Sequence, residues 1–345
     1  MKIYGFFLLL FLISCGKDSK SVHDEYITIG GLFPLTGEFC NEGIRALSGL
    51  QLARQMINES GGVLGKPLDI IVLDDRNDAK YAIEQYNILK KKGVIAIIGS
   101  SFPEVTQALA KATEEDGMPM ISPAVINLAK AKALALFAHN TLNAKTALII
   151  DDAKYDSTTH IFEEEFKLSG GTILGHEDFH SPEDFEGILK KYSSNQPDII
   201  FCQTNYISAA KLAETTHRLG LNKPKFIGTY AWEGILGFLQ EQEITNRIYY
   251  ASPFAFDEED EQIKEFSRNF FDNYKQMPIS ASALAYSSVQ TLVTAIDSAG
   301  STEPESIISM MSKIDPNVVA KHSHQTIYIM KIKNKTYSLF EKVNL

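Results

Sequence analysis

The sequence is short of the residues that carry most enzyme chemistry. Its 345 residues hold three cysteines, one tryptophan and eight histidines. Cys15, Cys40 and Cys202 are too few and too scattered to frame a disulfide-stapled scaffold or a C-x-x-C metal site. There is no Walker A loop, no G-x-S-x-G and no GxGxxG, so phosphate-cradling, hydrolase-elbow and dinucleotide signatures are missing. Basic residues are outnumbered, 33 Lys and Arg against 43 Asp and Glu, for a formal charge of −10. A net acidic chain without a basic stripe argues against nucleic acid as partner. After the first fifteen residues no apolar run is long enough to span a bilayer.

What is present begins with MKIYGFFLLLFLISC. Lys2 and the apolar run Ile3–Ile13 have signal-peptide proportions, and Leu12-Ile13-Ser14-Cys15 resembles a bacterial lipobox. Cys15 is thus the expected lipidation site, with residues 1–15 as signal and lipobox, and several acyl chains on one residue hold a protein at a membrane surface. The polar stretch 16–25, GKDSKSVHDE, reads as a tether. Cys40 and Cys202 leave two readings open, a bridge outside the cytosol or two small buried residues.

From Tyr26 onward short apolar runs alternate with helix-period runs. The expected strands are Ile27–Phe33, Leu68–Leu73, Val94–Ile98, Met118–Ile121, Thr146–Ile150, Thr172–His176, Asp198–Cys202, Lys225–Gly228 and Arg247–Ala251. Most are continuously apolar, as strands buried on both faces must be. Helices are expected over Gly43–Asn58, Asp78–Lys92, Phe256–Tyr274, Ser280–Ala299 and Glu303–Ile314, and a hairpin over Thr326–Lys333 and Thr336–Val343. The alternation predicts an α/β fold of two doubly wound parallel-sheet lobes.

Ligands in such folds sit at the carboxyl ends of the strands. Those turns are rich in aromatics and small polar groups, among them Phe39, Phe102, Tyr155, Tyr206, Tyr230 and Trp232, which suits binding a small organic molecule without transforming it. Other features have plainer readings. In the run Asp74–Asp78, Asp78 is placed to cap the next helix, and the other acids are solvated or paired with Arg76. The run lacks the spacing of a calcium loop. Asp151-Asp152 lacks the Lys and Thr of a phosphoacceptor pocket, Glu163–Glu165 reads as the outer face of a helix, and His322 and His324 read as loop residues. No metal, cofactor or catalytic residue is assigned.

Several stretches together carry a resemblance: FPLTGEFCNEG, then GLQLARQMINESGGVLGKPLDIIVLDDRND, IAIIGSS, GMPMISPA, DIIFCQTN, LGLNKPKFIGT and SASALAYSSVQTL. In this order the chain resembles the leucine/isoleucine/valine-binding family of extracytoplasmic solute receptors, from about Tyr26 to Ala299. The resemblance implies a type I periplasmic-binding fold with a hinge between lobes made of 26–125 plus 252–321 and of 126–251 plus 322–345. It implies a solute held between the lobes and handed to an ABC permease and its ATPase. A sensor of the same fold, signalling to a membrane partner, is the alternative; an enzyme with such a lobe lacks its catalytic constellation. The ligand-site positions implied are Glu42, Phe102, Pro103, Ala124, Ile126, Tyr155, Asn205, Tyr206, Tyr230, Trp232 and Glu233.

The chain departs from that pattern. Pro103 and Ile126 stand where the resemblance implies hydroxyls for the ligand carboxylate, and Glu42 stands in place of a tyrosine. The family's acid for the ligand ammonium falls near Tyr230, with Glu233 close by, and a later tyrosine aligns with Asn205, beside Tyr206. Two crossover segments, after ISPAVIN and between Ile314 and Thr326, are short. The expected ligand is amino-acid-like, aromatic or cationic rather than a plain branched-chain amino acid; Glu42 as a simple complement to its helix start is the other reading. Calorimetric titration with leucine is therefore expected to give weak binding or none, and tight leucine binding contradicts this reading of Pro103, Ile126 and Glu42.

Overall fold

The structure, a computed structural model, describes residues 25–123, 128–152, 158–256, 260–314, 326–333 and 336–344. Cys15, the tether to residue 24, Ala124, Ile126, Tyr155, His322 and His324 lie outside these. Among the described residues no helix is long and apolar enough to cross a membrane.

Four parallel strands form one sheet in the order β2-β1-β3-β4: β1 (Ile27–Phe33), β2 (Leu68–Asp74), β3 (Ile97–Gly99) and β4 (Met120–Ile121). The register sets Ile27 opposite Leu68, Gly30 opposite Ile97 and Ile97 opposite Met120. The crossovers are α1 (Cys40–Glu59), α2 (Ala79–Lys91) and α3 (Pro103–Glu115). Asp78 caps α2 as expected, its carboxylate accepting from Tyr81 N at 2.7 Å, and Lys90 and Lys91 complement the far end. Val94–Ala96 approaches β1 ahead of the strand proper, Ile95 N bonding Thr28 O at 3.0 Å.

The second sheet has seven strands in the order β11-β10-β9-β8-β7-β5-β6. These are β5 (Thr146–Asp152), β6 (Thr172–Phe179), β7 (Ile199–Gln203), β8 (Lys225–Thr229), β9 (Ile248–Ser252), β10 (Thr326–Lys333) and β11 (Thr336–Asn344). The first five are parallel, and the closing hairpin pairs antiparallel onto β9. Along this stretch run α4 (Leu128–Leu136), α5 (Thr158–Leu168), α6 (Asp184–Lys191), α7 (Tyr206–Arg218) and the short α8 (Gln242–Thr245). After β9 come α9 (Glu261–Tyr274), α10 (Ser280–Ala299) and α11 (Pro304–Met311). α9 begins five residues later than expected from Phe256, where Asp260 accepts from Gln262 N and Ile263 N.

Each sheet is covered on both faces, and the two-residue period of a strand decides which face each side chain meets. In β1, Ile27, Ile29 and Phe33 join Leu50, Ala53, Val289 and Leu292 beneath α1 and α10, while Leu32 joins Tyr86, Leu89, Val105 and Leu109 beneath α2 and α3. In β5, Leu148 and Ile150 meet α6 and α7, while Ala147 and Ile149 meet α4 and α5. A third layer, α9, packs Ile263, Phe266 and Phe270 on Leu52 and Ala283. Cys40 and Cys202 are free thiols, and Cys202 is buried in the second sheet.

Two surface readings need correction. Asp75 is fully buried, bonded by Ser100 Oγ at 2.7 Å and Asn77 N at 2.8 Å, not solvated. Glu163 and Glu165 are not a free outer face: Glu163 pairs with Lys167 and His176, and Glu165 with Lys132.

α1 and α10 approach closely because Gly49 has no side chain. A Cβ there would lie 2.1 Å from the Ser282 carbonyl oxygen, a backbone atom that cannot step aside. Gly49→Ala is expected to cost about 1–3 kcal/mol in urea denaturation, since the two helices must part. Gly187→Ala, at an exposed mid-helix site with no atom within 4 Å, is the control and should gain about 0.5–1 kcal/mol. Equal effects at the two sites contradict the close helix contact.

Candidate functional site

The carboxyl ends of the two sheets meet across a narrow cavity. Its walls are Asn41, Glu42, Ile279 and Ala281 from the first lobe and Tyr206, Tyr230 and Glu233 from the second. The space admits about one water molecule.

The first-lobe wall is built by the turn Phe33–Gly43. Asp74, at the end of β2, accepts from Leu35 N at 2.7 Å, Thr36 N at 3.3 Å and Thr36 Oγ1 at 2.5 Å. Burial alone would raise Asp74, but these bonds and one from Arg76 N hold it below the usual carboxylate range. Gly43 lets α1 begin against the strand end: a Cβ there would lie 2.0 Å from Pro34 O. Phe39 and Phe102, which precede α1 and α3, pack with centroids 4.8 Å apart and their rings tilted by 52°. The first N–H groups of α1 are turned back on the turn itself, Cys40 N to Gly37 O and Glu42 N to Phe39 O. The turn brings an acid to the cavity, Glu42 in the first helical turn.

The second-lobe wall centres on Glu233. It follows β8 and a single helical turn, Tyr230–Trp232. Its Oε1 accepts from Ser252 Oγ at 2.9 Å and Ser280 Oγ at 2.7 Å, and its Oε2 accepts from Ser280 N at 2.8 Å. Ser280 opens α10, so an acid of the second lobe occupies a helix N-terminus of the first, where the dipole favours it. Ser252 ends β9 and is fully buried; its hydroxyl also meets Ser280 Oγ at 2.7 Å and Phe254 O at 2.5 Å. Phe254 already packs with α9, so the chain changes lobes within two residues here. The loop carrying Glu233 is pinned by the Tyr337 hydroxyl of β11, which accepts from Gly234 N at 2.9 Å.

The site residues expected from the sequence divide accordingly. Glu42, Tyr206, Tyr230 and Glu233 share the cavity, and the Tyr206 hydroxyl reaches Glu38 O across the lobes at 3.4 Å. Phe102 and Pro103 open α3 beside the first-lobe turn. Asn205 caps α7, accepting from Ile207 N and Ser208 N, so its amide oxygen is occupied locally. Trp232 is not on the cavity: it is 1% exposed and packs in the second-lobe core, with Gly228 leaving room for its ring. Ala124, Ile126 and Tyr155 lie outside the described residues. Sequence reasoning missed Asn41, Ile279, Ser252 and Ser280, which are ordinary in sequence, and Lys130, one of two lysines in the alanine-rich run of α4. Lys130 is 5% exposed with its ammonium 4.6 Å from the Tyr230 ring centroid.

A second charged group stands on β5 and β6. His176 lies between Asp151 Oδ2 at 2.9 Å and Glu163 Oε2 at 3.3 Å, and Thr159 Oγ1 donates to Asp151 Oδ1 at 2.7 Å. Donor atoms of Asp151, His176 and Asp178 lie within 4.8 Å of one another. Burial opposes the charge on His176, but the carboxylates of Asp151 and Glu163 outweigh it and raise its pKa.

The cavity's charges are strained electrostatically. Burial, then the charge of Glu233, pushes Glu42 up to about 8. Burial raises Glu233 too, against its serine bonds and Lys130. Burial pulls Lys130 down to about 7, with Glu233 opposing. The linkage signs follow. Glu42 has a raised folded pKa, so its contribution is full below its unfolded value and is lost as pH rises through about 8. Lys130 has a depressed one, so its contribution is present above its unfolded value and is lost as pH falls through about 7. Urea denaturation at about pH 5, 7 and 9 should show the advantage of wild type over Glu42→Gln shrinking as pH rises. The advantage over Lys130→Met should instead grow between about pH 7 and 9. Differences independent of pH contradict these placements.

Comparison with known proteins agrees with this architecture. The family model described as periplasmic binding protein matches residues 26–320. The Leu/Ile/Val-binding protein BraC3 of Rhizobium johnstonii is 23% identical over 321 residues, 83% of each chain. Among solved structures, the branched-chain amino acid transporter substrate binding protein LivJ of Streptococcus pneumoniae, in complex with isoleucine, superposes with a TM-score of 0.82 at 24% identity, over 93% of this chain and 100% of that one. An ABC-transporter solute binding protein from R. palustris, in complex with benzoate, gives 0.73 at 18% identity, over 92% and 96%. The fold is thus the α/β, two-lobed type I periplasmic binding fold, and the chain belongs to the periplasmic binding protein family.

Proposed function

We propose that this chain is the extracytoplasmic solute-binding lipoprotein of an ABC importer, tethered to the membrane through Cys15, and that its solute is held in the cavity between the lobes. The moving bodies are 26–125 plus 252–321 and 126–251 plus 322–345. Its role is to bind and release the solute unchanged to a permease and its ATPase.

One observation carries this reading: Glu42 and Glu233, from opposite lobes, border a single cavity beside the point where the chain changes lobes. A ligand that touches both walls does so only when they are together, so its binding favours the closed arrangement by its differential affinity. The chemistry of the walls suggests the solute. An ionised carboxylate offers about four acceptor positions, and three of those on Glu233 are taken by Ser252 and Ser280. The remaining position, with Glu42 opposite, suits a protonated amine or another cationic donor. Tyr206 and Tyr230 give that cation aromatic faces. The complexes of relatives with isoleucine and with benzoate fit a fold that takes small organic solutes of varied chemistry.

The full-length protein, denatured after purification, is expected to release a small organic amine or amino acid detectable by mass spectrometry. Adding that compound back should reduce the radius of gyration in X-ray scattering. Glu233→Ala should weaken its binding about 100-fold, since an uncompensated cation then enters the cleft. If nothing is released and scattering is unchanged across a broad metabolite panel, the proposal fails.

A further inference from the structure

The charged group on β5 and β6 has no part in the interlobe cavity, and none of its residues lines it. Strand register assembles it. Asp151 stands directly opposite Asp178 on the neighbouring parallel strand, and His176, two residues earlier on β6, shares that face. The face lies under α5, where Thr159, Glu163 and Lys167 recur every four residues. Thr159 Oγ1 donates to Asp151 Oδ1 at 2.7 Å, which leaves Oδ2 turned to His176 Nε2 at 2.9 Å. Glu163 Oε2 faces the other ring nitrogen, Nδ1, at 3.3 Å, while its Oε1 pairs with Lys167. Asp178 has no hydrogen bond or ion pair among the described residues. Like charges directly opposite on neighbouring strands repel, so this register calls for a cation between them.

We propose that Asp151, His176 and Asp178 form a binding site for a divalent transition-metal ion, zinc being the best match, which staples the edge strand β6 to β5. One imidazole nitrogen and two carboxylate oxygens suit zinc and its neighbours; calcium and magnesium favour oxygen alone. The three donor atoms lie within 4.8 Å of one another. Donors on one zinc ion, each about 2.0–2.2 Å from it, stand about 3.4 Å apart, so closing the site takes side-chain shifts of about 1 Å. His176 and Asp178 are exposed and free to make them. The outer contacts are those a metal-bound histidine uses. Glu163 at Nδ1 fixes the tautomer that frees Nε2 for the ion, and Thr159 on Oδ1 turns the other oxygen of Asp151 inward. The ion replaces the proton between His176 Nε2 and Asp151 Oδ2 and brings two charges for two aspartates, leaving Glu163 to Lys167. A fourth position stays open for water. The stretch His176–His180 reads HEDFH, the spacing of a zinc motif that works on a helix. Here it is strand as far as Phe179, which puts His180 about 13 Å along the chain from His176. The other donors come from Asp178 and from across the sheet instead.

The test uses the untagged full-length protein, stripped with EDTA, and zinc chloride as the probe. Zinc is expected to bind in calorimetry and to raise the melting midpoint, where magnesium and calcium do not. Removing a ligand should cost more than removing an outer contact: His176→Ala and Asp178→Asn are each expected to weaken zinc binding about 100-fold or more, and Glu163→Gln about tenfold. His180→Ala should leave it unchanged. In EDTA, Asp178→Asn should melt no lower than wild type, since the charge opposite Asp151 is gone. A lower midpoint gives Asp178 a structural role without metal and overturns the proposal. Zinc that binds wild type, His176→Ala and Asp178→Asn alike sits elsewhere on the chain and overturns it as well. Loss of zinc binding in His180→Ala, or no zinc-dependent shift in wild type, does the same.

Discussion

The arrangement of the site depends on one carboxylate. Glu233 leaves the second sheet after β8 and ends at the N-terminus of α10, a helix of the first lobe. Three donors converge on it, and two of them, Ser252 Oγ and Ser280 Oγ, also touch each other at 2.7 Å. Ser252 is the residue at which β9 gives way to the helical layer of the other lobe, so the same few atoms fix the crossing, the helix start and the position of the acid. Charge-assisted bonds of this kind are among the stronger ones in a protein, and here they form in a region from which water is largely excluded. An opening of the lobes has to exchange them for water or pivot around them. The closed body is therefore specified by polar contacts, while the two apolar cores specify each lobe separately.

The walls beside that carboxylate are held by parts of the chain far away in sequence. Tyr337, near the end of the chain, fastens the Glu233 loop through Gly234 N and Leu236 N. Asp74 fastens the opposite turn through Leu35 and Thr36. Gly43 lets α1 start in contact with Pro34 O, where any side chain would collide. Each wall is thus a loop tied to a strand end, which gives position without relying on the loop's own stiffness.

Much of this was legible in the sequence, and the exceptions have physical causes. β1, α10 and the hairpin strands were readable because their apolar pattern and their turn residues agreed. The start of α9 was misplaced because the acidic run DEEDE after Phe256 offers more than one cap candidate, and the one that caps the helix is Asp260. Asp75 looked solvated within an acidic run, but the run bends where a strand meets a helix and turns one acid inward onto Ser100. Trp232 looked like a cleft aromatic because it sits two residues from Tyr230, yet a single helical turn at Tyr230–Trp232 sends neighbouring side chains to different sides. Glu42, Tyr206, Tyr230 and Glu233 come to one cavity because strand ends of an α/β fold converge. Ser252, Ser280 and Lys130 were not, since their role comes from long-range contacts that no local pattern records.

The distribution of electrostatic strain separates the cavity from the rest of the molecule. Asp198 and Glu186, away from the cavity, are well served. Burial would raise Asp198, but Lys145 N, Lys223 and Thr146 hold it down at about 2, and Lys190 and Arg218 hold Glu186 similarly low at about 2. At the cavity the balance reverses: Glu42 is pushed up to about 8, Lys130 is pulled down to about 7, and Glu233 is raised despite its three bonds. Charged groups kept from water without full partners lower the stability of a body that contains nothing else to satisfy them. Burial also raises Asp75 and Asp151 away from the cavity, but there it is offset in part by bonds from Ser100 Oγ and Asn77 N and from Thr159 Oγ1 and His176. A partner that supplied the missing opposite charges would remove that cost only in the closed arrangement. Under the proposed function, the same strain that weakens the empty closed state is the differential affinity by which a solute bound in this cavity would select it.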